Sequence, residues 1–278
     1  MTKIWSHTLV RNEERYVWYS IMSVIDQVDR MLVWDMGSED KTFDILEKIK
    51  KEYPDKVELN KCKKDDDYTK LRQDMLGMTK SDWVMILDGD EVWWKDSLKK
   101  VLSNIERKKD RLESIITPYF NIVGDIFHYQ PEVAGRYKID DRYGHITIRF
   151  INRNIPGLYT RRPHGQHGYF DQEDKLIQDR SIKKRKFIDA PFMHFTHIRR
   201  STSKMLDESV HKRDKKYKVE LGNEFTLDFY YPEIFFRDRP EIIRSPWEVM
   251  NKSYKIKATL STLPLNLKRR IIKGKSGY

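Results

Sequence analysis

Cysteine occurs once in the 278 residues, at Cys62, so the chain can close no internal disulfide and build no multi-cysteine zinc site. Glycine and proline are sparse, 12 and 10 residues, which excludes collagen-like and low-complexity chains. No apolar run reaches the roughly eighteen residues that a membrane span requires. The opening MTKIWSHTLVRNEER lacks a basic region followed by an apolar segment, so no secretion signal is expected. These absences lead us to expect a cytoplasmic globular protein.

What is present supports a packed core: 38% hydrophobic and 12% aromatic residues are too many for a disordered chain. Charge is abundant and unbalanced. Lys and Arg number 54 against 43 Asp and Glu, a formal +11, which favours polyanionic partners such as phosphorylated small molecules, anionic lipid headgroups or nucleic acid. Basic runs fall at 181–186, 211–218 and 268–275. The last lies among apolar residues in LPLNLKRRIIKGKSGY, which admits peripheral contact with the inner face of a membrane, although a solvated basic tail is the first expectation.

Hydrophobic spacing alternates between strand and helix through the first hundred residues. Residues 3–10 read as a strand; Val17, Ile21, Val24, Ile25 and Val28 have helical spacing; Met31–Trp34 is a continuous apolar run. A helix through Ile45, Leu46 and Ile49, a strand at 57–59, a helix over 67–79 and the buried strand 83–87 follow, then a helix through Leu98, Val101 and Ile105. The pattern predicts an α/β fold, a Rossmann-like mixed sheet with helices on both faces. After residue 112 strands are expected at 113–123, 145–152 and 187–197, a loop at 156–180 and a charged helix at 202–218. The last sixty residues should be an irregular extension interrupted by Pro232, Pro240, Pro246 and Pro264. The expected division is 1–112, 113–220 and 221–278.

Ligands of an open parallel sheet sit outside the carboxyl ends of its strands. Three polar clusters fall there: Thr8–Glu14, Asp35–Asp40 and Asp88–Glu91. In Asp88-Gly89-Asp90 two carboxylates separated by glycine follow a rigid strand, so both can reach one Mg²⁺ or Mn²⁺ ion. The alternative is an acidic turn that starts the next helix. His164 and His167, and His194 and His197, form two HxxH pairs. Positions i and i+3 of a strand face opposite ways, so a single histidine joining the aspartates fits better than a four-histidine zinc site. Arg72 could reach a phosphate near the aspartates, Asp65–Asp67 reads as a helix cap, and Trp93-Trp94 either lines a pocket or packs in the core.

The order of TLVRNEE at 8–14, VWDMGSEDKT at 33–42, KLRQDM around Arg72 and ILDGDE at 86–91 resembles family 2 glycosyltransferases of the GT-A fold. The resemblance is good over residues 3–110 and loose to about 220. It implies that Thr8, Arg11 and Glu14 line the pocket of a nucleotide-sugar donor, that Asp35 receives the base, and that Arg72 and Asp88 complete the donor site. It further implies that Asp88, Asp90 and His194 hold Mn²⁺ or Mg²⁺, and that His164 lines the acceptor side. Gly165 stands where related bacterial transferases carry a glutamate, which leaves Asp171, Glu173 and Asp141 as candidate general bases, Asp171 foremost. Trp34 and Met36 flank Asp35 where a second Asp is frequent.

The resulting expectation is a metal-dependent glycosyltransferase with Asp90, His164 and Asp171 as its catalytic residues. It would move a sugar from a nucleotide-sugar donor, foremost a UDP-sugar, to a hydroxyl of a saccharide, lipid or protein, with inversion. Nucleic acid is not the expected partner. Two alternatives use the same residues: a metal-dependent nuclease or phosphatase built on Asp88 and Asp90, and a binding module that holds a nucleotide sugar without turnover.

Overall fold

The structure is a computed structural model, and residues 2–108, 111–162 and 167–271 are described. The first half follows its hydrophobic pattern closely. Strands β1 (Ile4–Val10), β2 (Arg30–Asp35), β3 (Val57–Lys61) and β4 (Trp83–Ile86) alternate with helices α1 (Val17–Val24), α2 (Thr42–Glu52) and α3 (Tyr68–Met78). β1 lies between β2 and β4, β2 pairs with β3, and all these pairings are parallel. Alternation along the strands feeds two cores. Ile4, Met31, Val33, Trp83 and Met85 face α1, α2 and α4 (Lys95–Lys108), whereas Leu9, Leu32 and Trp34 face Leu71 and Met75 of α3. Helices therefore cover both faces of the sheet.

α1 is buried along its whole length because it lies inside that first core. Its two serines find partners there: Ser20 donates to the Asp88 carbonyl at 2.8 Å, and Ser23 Oγ accepts from the Trp93 amide at 3.2 Å. Asp67 caps α3, accepting from the amides of Thr69 and Lys70 at 2.7 and 3.2 Å.

The second half extends the same sheet. The strand Ile146–Asn152 runs antiparallel between β4 and β6 (Ser114–Val123), making the sheet mixed, and β7 (Asp125–Tyr129) continues it. β5 (Glu91–Trp93) was not anticipated. It pairs antiparallel with the strand Phe192–His194, which lies parallel to β6. Trp93 stacks on Phe192 and meets Phe150 edge-on, so it packs in the core. Trp94, buried against Phe120 and Phe229, does the same.

Three expectations for the second half are corrected. The strand at 187–197 is two short strands, Arg185–Phe187 and Phe192–His194. The loop at 156–180 contains a small hairpin, Tyr159–Arg161 with Gly168–Phe170. The charged helix at 202–218 splits into α5 (Lys204–Glu208) and α6 (Arg213–Lys216), because Lys212 between them adopts a left-handed conformation, φ 60°.

The C-terminal extension is less irregular than expected. Phe225, Phe229 and Tyr231 pack on Phe120, Phe127 and Tyr129 of the sheet. Beyond them runs the long helix α7 (Lys252–Ile271), with Pro264 inside it. Proline removes one backbone donor and disturbs one turn, but a helix docked along one face tolerates that loss.

Candidate functional site

Register decides which residues meet. Val10 lies opposite Asp35 and His7 opposite Ile86, so the turns after β1, β2 and β4 open at one edge of the sheet. There a cavity of about 470 Å³ is lined by Arg11, Glu13, Met36, Asp88, Asp90 and His194, among others. That volume falls in the usual range for small-ligand sites. A smaller cavity of about 220 Å³ lies beside it and shares Asp88 and Arg149 in its wall.

Gly89 allows the loop after β4 to press against the turn after β1. A Cβ at this position would come within 2.6 Å of Val10 Cγ1 and 3.1 Å of Glu13 Cγ. The pairing of β5 with Phe192–His194 sets His194 opposite Glu91, and the Phe195 amide donates to the Asp90 carbonyl at 2.9 Å. One ligand atom each from Asp88, Asp90 and His194 then falls within 4.8 Å of the others. Among the described residues this is the one such cluster. Two carboxylate oxygens and an imidazole nitrogen suit Mn²⁺, and Mg²⁺ somewhat less, because imidazole prefers the later metal. The donor set therefore fits a single divalent cation. A two-metal nuclease site would need more carboxylates.

Arginines surround this cluster. Arg200 Nη1 donates to Asp90 Oδ2 at 2.6 Å, and His194 Nε2 lies 3.6 Å from the same oxygen. Burial alone would raise the Asp90 pKa, but Arg200 and His194 hold it well below the ordinary carboxylate value. Asp88 receives Arg149 Nη2 at 2.9 Å and Arg72 Nη2 at 3.4 Å. Its pKa is lowered too, with burial opposing and Arg149 and Arg72 prevailing.

Glu91 behaves oppositely. Its side chain is fully buried and pairs with Arg149, yet burial and the neighbouring aspartates raise its pKa well above the usual range. Glu13 is likewise pushed up to about 8 by burial, against the pull of Arg200 and Arg213, which both pair with its Oε1.

Not every expected residue reaches this site. Thr8 is buried within β1, outside the cavity lining. Glu14 turns away from it: its carboxylate accepts the Thr202 amide at 2.6 Å and the Lys41 amide at 3.2 Å, so it ties the turn before α5 to the start of α2. Asp171 is also diverted. Its buried carboxylate pairs with Arg180 and accepts the amides of Glu173 and Lys175 at 2.9 and 3.0 Å, which closes a local turn, and Asp171 lines neither cavity. Glu173 and Asp141 are exposed and line neither cavity. His164 lies outside the described residues. His197 points away from the metal cluster and donates through Nδ1 to the Lys216 carbonyl at 2.6 Å.

Arg11 lines the cavity, and Arg72, expected at a phosphate, lies 3.4 Å from Asp88. Asp35 is buried beside Met36. Its Oδ2 accepts the Ser38 amide at 3.0 Å, and its Oδ1 has no partner among the described residues. Sequence reasoning missed Arg149, Arg200 and Arg213. Arg149 had a signal, a lone cation within the apolar strand HITIRFIN.

A mixed α/β sheet with a carboxylate–histidine cluster at the carboxyl ends of its parallel strands can hold a divalent cation beside a phosphorylated ligand. The model of the Glycosyl transferase family 2 domain matches residues 8–173, and the chain belongs to that family. It is 27% identical over 113 residues to the SPbeta prophage-derived glycosyltransferase SunS of Bacillus subtilis strain 168, and the same holds for glycosyltransferase SunS of Bacillus phage SPbeta. The match covers 40% of this chain and 26% of that protein, so the chain spans about a quarter of the length of these curated relatives. Among solved structures, S. aureus TarS aligns with a TM-score of 0.41 and 15% identity, over 71% of this chain and 37% of that one. Glucosyl-3-phosphoglycerate synthase from Mycobacterium tuberculosis, in complex with Mn²⁺, UDP and phosphoglyceric acid, aligns with 0.43 and 14%, over 69% and 70%.

Proposed function

We propose that this glycosyltransferase moves a sugar from a UDP-sugar to an acceptor hydroxyl, with inversion at the anomeric carbon and a divalent cation at Asp88, Asp90 and His194. One observation carries the reading: three metal-ligating groups converge within 4.8 Å in the wall of a cavity at the carboxyl ends of β1 and β4. When bound, the cation offsets the charge that develops on the leaving nucleoside diphosphate.

The residues of the chain divide the remaining work. Asp35 Oδ1 is the acceptor we assign to the nucleotide base, an unpartnered buried oxygen one residue from the cavity wall. Arg11, which lines the same cavity, is assigned to the ribose and phosphates. Arg149, Arg200 and Arg213 place positive charge around a diphosphate in a low-dielectric wall, where electrostatic stabilisation is strongest. Arg72 is buried and locked by the Tyr68 hydroxyl at 3.2 Å and the His7 carbonyl, so it holds Asp88 in place. Residues 1–112 then form the donor half and 113–220 the acceptor half, with 221–278 as an appended segment.

The test is thermal melting with UDP-, GDP-, dTDP- and CMP-sugars, each with and without Mn²⁺. A ligand at about 100 times its dissociation constant stabilises the fold by about 2.7 kcal/mol. A Mn²⁺-dependent shift for UDP-sugars is the expected result; no shift with any donor would refute the donor site. NMR of the transferred sugar reads the anomeric outcome, and retention would overturn the inverting assignment.

A further inference from the structure

Helix α7 uses only one of its faces for the body of the protein. On that face Ala258 is fully buried, Tyr254 donates to the Lys218 carbonyl at 2.8 Å, Thr262 accepts the Leu221 amide at 2.9 Å, and Arg269 pairs with buried Glu220. The opposite face carries Ile256, Leu260, Leu263 and Leu267, exposed by 63%, 69%, 68% and 60%. Their spacing of four, three and four residues makes one continuous stripe, because each residue turns the helix by about 100°. Lys255 and Lys257 then fall on its two flanks.

The charge of the segment has one sign. From Lys252 to the end of the chain there are eight basic residues and no acidic one. Lys252, Lys255, Lys257 and Lys268 are all exposed. Long basic side chains beside an aliphatic stripe can lay their stems along an apolar surface and keep their charges at its polar boundary.

We propose that α7 is an interfacial foot that seats this protein on an anionic phospholipid surface, with the Ile256–Leu267 stripe among the acyl chains and the flanking lysines on the headgroups. Charge complementarity selects this occupant. A second copy of the chain would set one all-basic helix against another, and like charges across such a seam repel. A nucleic acid would match the lysines and leave the aliphatic stripe in water. No described helix is long and apolar enough to cross a membrane, so the foot lies on the surface. Its other face grips Lys218–Leu221, which follows directly on Lys216 in the cavity wall, so the foot also fixes how the site is presented to the bilayer.

Sedimentation of the full chain with vesicles tests this. We expect at least tenfold stronger partitioning to phosphatidylcholine vesicles containing a third phosphatidylglycerol than to phosphatidylcholine alone. The double variant Leu260→Asn/Leu263→Asn should lose tenfold or more of that partitioning with an unchanged melting temperature, since both side chains are exposed. Lys255→Gln/Lys257→Gln should lose roughly 25-fold, about fivefold per charge near an anionic surface. Equal binding to both vesicle types, or binding indifferent to the leucine variant, would overturn the proposal. So would a concentration-dependent dimer that the leucine variant dissolves, or an oligonucleotide that outcompetes the vesicles.

Discussion

Replacing Asp90 by Asn separates the structural role of this carboxylate from its proposed role as a metal ligand. Without metal, Asp90 is a structural anion: it takes a 2.6 Å bond from Arg200, and both side chains are buried. Asn keeps an acceptor oxygen but loses the charge. A hydrogen bond to a charged group contributes about 1.5–3 kcal/mol, so the loss should be near 2 kcal/mol. Glu13 Oε1, 3.1 Å from Arg200, still accepts from the guanidinium, but with its pKa pushed up to about 8 it carries little charge at neutral pH, so about 2 kcal/mol is the smallest loss expected. For a chain of this size the melting temperature should fall by about 3 °C or more. With Mn²⁺ at about 100 times its dissociation constant, the wild type should gain about 2.7 kcal/mol and Asp90→Asn almost none. Urea unfolding with and without Mn²⁺ measures both numbers on one pair of proteins. If Asp90→Asn kept the full Mn²⁺ stabilisation, Asp90 would not be a ligand. If it were as stable as wild type without metal, the Arg200 contact would not hold in solution.

Further substitutions test the same wall. Gly89→Ala should cost about 1–3 kcal/mol, since its Cβ meets Val10 Cγ1 at 2.6 Å, and should also weaken nucleotide binding in calorimetry. Arg149→Gln removes a charged hydrogen-bond partner from buried Glu91 and one of the two arginines on Asp88, and should destabilise by about 2 kcal/mol at neutral pH. Because the folded pKa of Glu91 is raised, its stabilising contribution is complete below the unfolded value and is lost as pH rises, so the Arg149→Gln deficit should be smallest near pH 4–5 and grow toward alkaline pH in urea titrations. His7 is buried neutral, bonded to Thr79 Oγ1 at 2.6 Å, with its pKa lowered to about 3 by burial and by Arg72. Its stabilising contribution is complete above pH 6.5 and is lost as pH falls toward 3, about 2 kcal/mol by pH 5. His7→Gln should flatten the acid limb of the stability profile by that amount, and an unchanged limb would show that the ring is not held neutral.

The sequence by itself determined the fold of the first half of this protein. Strands β1 to β4 and helices α1 to α4 were legible because each is a local hydrophobic rhythm, and β1, β2 and β4 end in polar clusters that a parallel sheet must gather at one edge. Asp88 and Asp90 were legible for the same reason, since neighbours in sequence at a strand end are neighbours in the site. The family resemblance pointed to His194 beside the aspartates, but only the pairing of Glu91–Trp93 with Phe192–His194 brings it there, and three-residue strands have too little periodicity to read. Asp171 and Glu14 have the right chemistry at plausible positions, and tertiary contacts with Arg180 and with Thr202 divert both into structural bonds. The arginines on Asp88, Asp90 and Glu13 come from positions 149, 200 and 213, so their meeting is a property of the folded sheet and of the turns packed on it. The stripe on α7 was present in the sequence as a spacing. Which of its faces stays in the open was decided by Ala258, Thr262 and Arg269 docking the other against the body.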